Sequence, residues 1–200
     1  MMKSQIEKES TLTNLNKTER FWYALYTRPR FEKIVDGSLK QKGLESFLPL
    51  YAVTRYWSDR KKVIAEPLFP SYIFVHANAK ERYFSLQTRG VVRMVSFNGQ
   101  PTSIPDEQIE RIHQILNCGY NPEPHQFLNF GDEVEIVTGA LQGLHGFYIE
   151  KRGKCRIVIS VHAIQQSIAI EVERGQVRRV RLSEQLKQNK SVFKHKVEMQ

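Results

Sequence analysis

The side chains able to do chemistry are few and dispersed. Six histidines are spread along 200 residues, and none stands near a recognisable nucleophile motif. There is no G-x-S-x-G string, no phosphate-cradling P-loop and no H-E-x-x-H. His113 falls on a helical segment as a surface or boundary residue, and Asp106 and Glu107 read as helix-start acids, with nothing that pairs them for acid–base work. Cys118 and Cys155 are too few for a disulfide framework and lack the paired spacing of a zinc site. Reduced thiols in a cytoplasmic protein are the expectation. These residues predict a protein that is not an enzyme and that needs no cofactor and no metal.

Positive charge is what accumulates instead. The formal net charge is +9, which favours contact with nucleic acid or an acidic surface. It is not a tail effect: residues 1–117 carry 18 basic and 12 acidic side chains, residues 118–200 carry 12 and 9. Arg28, Arg30, Lys33, Lys40 and Lys42 crowd onto one strand-to-helix segment, and Arg89 and Arg93 sit on a later turn and strand. Arginine and lysine neutralise phosphates, and arginine also forks onto guanine. A solvated face explains each of them equally well when taken singly. Arg60-Lys61-Lys62 in a charged hairpin loop either reaches DNA or keeps a loop in water.

The elements that must position these residues follow from periodicity. FWYALYT, Phe21 to Thr27, is a compact apolar run that predicts a buried strand. Phe31, Ile34, Val35 and Leu39 then share one face of a helix from about Arg30 to Lys42, capped by Gly43. Extended segments are expected at 46–57, 71–77 and 91–97, a short helix at 80–88 and a turn at Asn98-Gly99. A last helix begins near Pro105, with Ile109, Ile112 and Leu116 on one face. The order predicts an α+β domain, an antiparallel sheet covered by helices, over 21–117. Residues 118–128, with Gly119, Pro122 and Pro124, read as a linker. Alternation at Val134/Ile136, Ile157/Ile159/Val161 and Ile168/Ile170/Val172, punctuated by glycines, predicts a small all-β barrel over 129–181. Residues 1–20 read as a disordered leader and 182–200 as a basic flexible tail.

Two segments carry a family resemblance. Trp22-Tyr23-Ala24-Leu25-Tyr26 before a helix, then Glu66-Pro67-Leu68-Phe69-Pro70-Ser71-Tyr72-Ile73-Phe74-Val75 and Thr88-Arg89-Gly90-Val91, resemble the amino-terminal domain of the NusG family. Gly131-Asp132-Glu133-Val134-Glu135-Ile136 leading to Gly139-Ala140-Leu141-Gln142-Gly143-Leu144-His145-Gly146 resembles a KOW motif opening an SH3-like barrel. Glu-Pro-Leu-Phe-Pro is most similar to the specialised paralogues, of which RfaH is the best known. Arg152-Gly153-Lys154 and Gln165-Gln166-Ser167-Ile168 are similar to the UpxY group, which serves long surface-polysaccharide operons. Ser71 stands where general members usually have glycine, and Glu81-Arg82-Tyr83 does not match the His-Thr-Thr with which RfaH contacts a second polymerase element.

The resemblance implies a transcription elongation and antitermination factor, a monomer that binds the clamp helices of RNA polymerase and suppresses pausing and termination. Tyr26, Phe69, Tyr72 and Phe74 match the positions lining the apolar polymerase-binding cavity, although strand alternation by itself leaves each ring either core or interface. Arg28, Arg30, Lys33, Lys40, Lys42, Arg89 and Arg93 lie in the regions that read the non-template DNA strand. The barrel is expected to be a docking module, for which the resemblance implies Rho or a small-subunit ribosomal protein as partner and exposed strand edges and loops near Phe147 and Ile164 offer unassigned surfaces, and to stay β-sheet without switching to a helical hairpin. An RNA-binding or ribosome-associated KOW protein is the rival reading, supported by the KOW segment alone.

Overall fold

The computed structural model describes residues 19–56, 60–128, 131–151 and 153–180. The expected leader and tail therefore lie outside the described residues, apart from Glu19 and Arg20, as does the tip of the charged hairpin.

The apolar run at the start becomes β1 (Phe21–Thr27), the middle of a five-stranded antiparallel sheet. Beside it lie β2 (Glu45–Phe47), β5 (Tyr72–Ala77), β6 (Val91–Met94) and β9 (Ser103–Ile104), with β5 and β6 on opposite edges of β1. Strand alternation sorts the side chains of β1. Tyr23 and Leu25 join Ile73, Val75 and Met94 under helix α1 (Glu32–Gln41), where Val35 and Leu39 are buried. Trp22 and Ala24 join Phe74 and Ile104 on the other face, under α3 (Asp106–Asn117) with Ile109, Ile112 and Ile115. Helix α2 (Ala79–Leu86) packs at the end of β5 and β6. Its start is fixed by a reciprocal cap: Asn78 accepts from Lys80 and Glu81 N–H, and Glu81 accepts from Asn78 N–H.

Two expectations about α1 and the hairpin need correction. Ile34 is 55% exposed and not part of the apolar face. The face of α1 is the narrower Val35–Leu39 stripe, because Phe31 precedes the helix as its N-cap and only half-buries. Lys61 and Lys62 are not loop residues but open β4 (Lys61–Pro67), which pairs with β3 (Leu50–Tyr56) as a separate two-stranded ribbon. Asn98-Gly99 makes the expected tight turn, between β7 (Ser96–Phe97) and β8 (Gln100–Pro101); both residues take positive φ, which that two-residue turn requires.

The second half is a six-stranded antiparallel sheet in the order β10-β14-β13-β12-β11-β15. Its strands are β10 (Glu123–His125), β11 (Glu133–Ile136), β12 (His145–Lys151), β13 (Lys154–Val161), β14 (Gln166–Val172) and β15 (Val177–Arg179). The alternating Val134, Ile136, Ile157, Ile159, Ile168 and Ile170 form its core. Within the segment 118–128 read as a linker, three residues form a strand: β10 pairs with β14 across Pro124. Proline is tolerated because this is an edge strand. Glu123–Arg156, at 3.0 Å, holds it there, as does the Leu128 N–H donating to Ser167. The two halves meet at α3, where Gln114 Nε2 donates to the Ala140 carbonyl at 3.3 Å and Cys118 Sγ lies 3.5 Å from the same oxygen.

Candidate functional site

The four aromatics singled out by sequence share one region of the first sheet but not one degree of burial. Tyr26 and Tyr72 are directly opposite on β1 and β5, with ring centroids 5.3 Å apart at 65°. Both are half-buried. Arg93, opposite Tyr26 on β6, sets its guanidinium 5.2 Å from the Tyr26 ring centroid. The result is a strip across three strands, cation on ring on ring, at the margin of the α3-side face. Phe69 and Phe74 pack edge to face at 5.7 Å and are 1% and 0% exposed. They are core side chains here. Phe74 reaches Phe47, which stacks on His113 of α3 at 3.7 Å. Burial there holds the His113 imidazole below its ordinary pKa.

The turn joining Phe69 to Tyr72 is held in an unusual shape. Ser71 has φ +65°, the left-handed region that glycine tolerates and serine resists. Its N–H donates to the Glu32 carboxylate at 2.7 Å, and its carbonyl accepts from Thr27 N–H at 2.8 Å. Glu32 is a buried carboxylate in the first turn of α1. Sequence reading missed it, since nothing marks it apart from other helix-start acids; the signal was Ser71 standing where glycine is usual.

Apart from Arg93, the predicted basic residues separate into two groups. Arg28, Arg30 and Arg89 are exposed on two turns that touch, the Arg28 N–H donating to the Gly90 carbonyl at 2.8 Å. No ion pair among the described residues engages any of the three. Gly90 makes this approach possible: it has φ +98°, and a Cβ there would stand 2.8 Å from the Phe31 ring and 3.0 Å from Val35. The three lysines are spent internally. Lys33 donates to the Ala65 carbonyl and ties α1 to the ribbon. Lys40 pairs with Asp36 one turn back. Lys42 donates to Thr88 Oγ1 at 2.8 Å, bracing the turn that carries Arg89.

On the second sheet, Phe147 is half-buried and Ile164 is 5% exposed, so the Ile164 side chain itself belongs to the core. Among the described residues no group of three His, Cys, Asp or Glu could hold a metal ion. No described helix is long and apolar enough to cross a membrane.

Residues 20–113 match the family model described as NusG, transcription termination factor nusG. The transcription termination/antitermination protein NusG of Vibrio vulnificus (strain CMCP6) is 24% identical over 174 residues, covering 80% of this chain and 95% of that protein. That of Streptococcus pyogenes serotype M1 is 24% identical, with 79% and 96% covered. Among solved structures, Thermotoga maritima NusG, described for its domain interaction, covers 82% of this chain and 99% of its own at 20% identity, with a TM-score of 0.49. The MjSpt4:Spt5 complex in conformation B aligns at 20% identity with a TM-score of 0.28.

Proposed function

We propose, from the match of residues 20–113 to the NusG family model, that this protein is a NusG-family processive antitermination factor. NusG-family proteins are transcription factors and not enzymes, and they bind RNA polymerase. The finer reading is ours. The Tyr26–Tyr72 strip, with Phe69 and Phe74 beneath it, docks the helical tip of the polymerase clamp. Rings suit that task because they bring a large apolar area with few rotamers to freeze, and tyrosine keeps a polar tip for the rim. Arg28, Arg30, Arg89 and Arg93 face the exposed non-template strand, with the three lysines bracing the scaffold behind them. Binding energy alone holds the clamp closed, so no cofactor is needed. The second sheet serves as an SH3-like KOW module that docks Rho or a ribosomal protein, and the site of action is the cytoplasm.

The observation that carries the reading is the adjacency of an aromatic strip to three arginines, on braced turns, that meet no carboxylate among the described residues. Genome-wide occupancy, measured by chromatin immunoprecipitation alongside core polymerase, tests it. Signal over a few long operons, starting near their leaders, is expected of a specialised factor. Signal following polymerase across most genes would make it a general one. No overlap with polymerase would overturn the assignment and favour an RNA-binding KOW protein.

A further inference from the structure

We infer, resting on the docking site proposed above, that Glu32 is a positioning residue for the tyrosine strip. Its carboxylate holds the turn from Phe69 to Tyr72 in a shape that Ser71 by itself resists.

The type of that turn follows from its residues. The Tyr72 N–H donates to the Phe69 carbonyl at 3.1 Å and closes the turn. Pro70 stands second, and Ser71, third, has φ +65°. Proline followed by a positive φ makes a type II turn, whose third place favours glycine. A neighbouring turn obeys that preference: the Val91 N–H donates to the Thr88 carbonyl at 3.0 Å, and Gly90 stands third with φ +98°. Both turns grip the end of β1. The Thr27 N–H donates to the Ser71 carbonyl and the Arg28 N–H to the Gly90 carbonyl, each at 2.8 Å. Two turns thus hold consecutive residues of β1, and only one has glycine to do it.

Glu32 supplies what the serine turn lacks. The Ser71 N–H takes no part in closing the turn and donates to Glu32 Oε1 at 2.7 Å. Glu32 is 5% exposed, so this charge-assisted bond is shielded from water. Residues other than glycine keep a positive φ only where their surroundings enforce it, and such residues gather at functional sites. The enforced residue here joins the buried Phe69 to the half-buried Tyr72. Its φ sets the direction in which β5 leaves the turn, and with it the seating of Tyr72 opposite Tyr26. Without the carboxylate, Ser71 relaxes toward negative φ and Tyr72 leaves that seat, while Phe69 stays anchored in the core.

The test is equilibrium binding of full-chain variants to core RNA polymerase, with circular dichroism as the check on folding. Glu32→Ala should weaken binding about tenfold, on the scale of the backbone strain released. Adding Ser71→Gly should restore affinity to within about twofold, because glycine holds the positive φ unaided. Adding Gln165→Gly instead, at another positive-φ position far from the strip in sequence, should restore nothing. If Glu32→Ala fails to fold, Glu32→Gln carries the test: it keeps the shape, removes the charge, and should lose about threefold with the same rescue. Undiminished binding by the folded Glu32 variant, a loss that Ser71→Gly leaves in place, or equal rescue by Gln165→Gly would overturn the inference. Tyr26→Ala/Tyr72→Ala, measured alongside, separates two failures. If it loses binding while the Glu32 variant does not, only the positioning role falls; if neither loses binding, the docking site falls with it.

Discussion

Exposed cations are treated differently at two places on the molecule. On and beside the second sheet Lys154, Arg174, Arg178 and Arg179 each meet a carboxylate, at 2.6–2.8 Å. At the Arg28–Gly90 junction of the first half, Arg28, Arg30 and Arg89 meet none among the described residues. Surface ion pairs contribute little to stability, so these exposed pairs are not needed to hold that sheet together. Their effect is to cancel charge locally, whereas the junction leaves its field unopposed for an anionic partner. The aromatics show a parallel contrast: Phe69 and Phe74 are closed into the core, and Tyr26 and Tyr72, one step along the same face, remain open.

The sharpest way to break the aromatic contrast is Phe74→Ala, which opens a cavity in the α3-side core. It should cost about 3–5 kcal/mol in urea denaturation, whereas Tyr26→Phe should change stability by under about 0.5 kcal/mol. The charge contrast is tested by neutralising Arg28, Arg30 and Arg89 to Gln together. Single-stranded DNA binding should weaken and its log–log salt slope should fall by about 2, with stability unchanged. Neutralising Lys154, Arg174 and Arg179 should leave both unaltered; an equal loss from either set would erase the distinction. A smaller effect is expected at α2, where Asn78→Ala removes the cap and should cost about 1 kcal/mol by thermal melt.

The smallest effect concerns pH. Burial pushes the Glu81 carboxyl up, but the Asn78 N–H and the Arg20 guanidinium outweigh it and hold Glu81 below its ordinary value of 4.5. A folded-state pKa below the unfolded one means that the contribution is complete above the unfolded value. It is lost as pH falls through the folded one. Glu81→Gln should therefore lower stability at neutral pH and flatten its decline in acid; an unchanged acid limb would show that another carboxylate dominates it.

How much of this was legible in the sequence depends on the range of the interaction concerned. β1, the Asn98-Gly99 turn, α3 and the alternating strands of the second sheet are local patterns, and they appear where periodicity puts them. Ile34 misled because helical spacing does not say how wide the buried stripe is. β10 was hidden because Pro124 argues against a strand, and only its edge position on β14 permits one. At the candidate site, residue types pointed to seven cations without separating the three open arginines from the lysines. Lys33 meets Ala65 and Lys42 meets Thr88, contacts 32 and 46 residues apart that no local pattern announces. The roles of Glu32 and Gly90 likewise appear only when the Ser71 and Arg28 turns are seen against α1.

The most direct test of the central claim is equilibrium binding of the full chain to core RNA polymerase, comparing the natural protein with Tyr26→Ala/Tyr72→Ala. Both rings are half-exposed, so the pair can be removed with the buried Phe69–Phe74 core intact. Affinity should fall by about 100-fold, the loss of roughly one strong interface hot spot, while the circular dichroism spectrum stays the same. Undiminished polymerase binding by the folded double variant would contradict the account and move the interface elsewhere on the molecule.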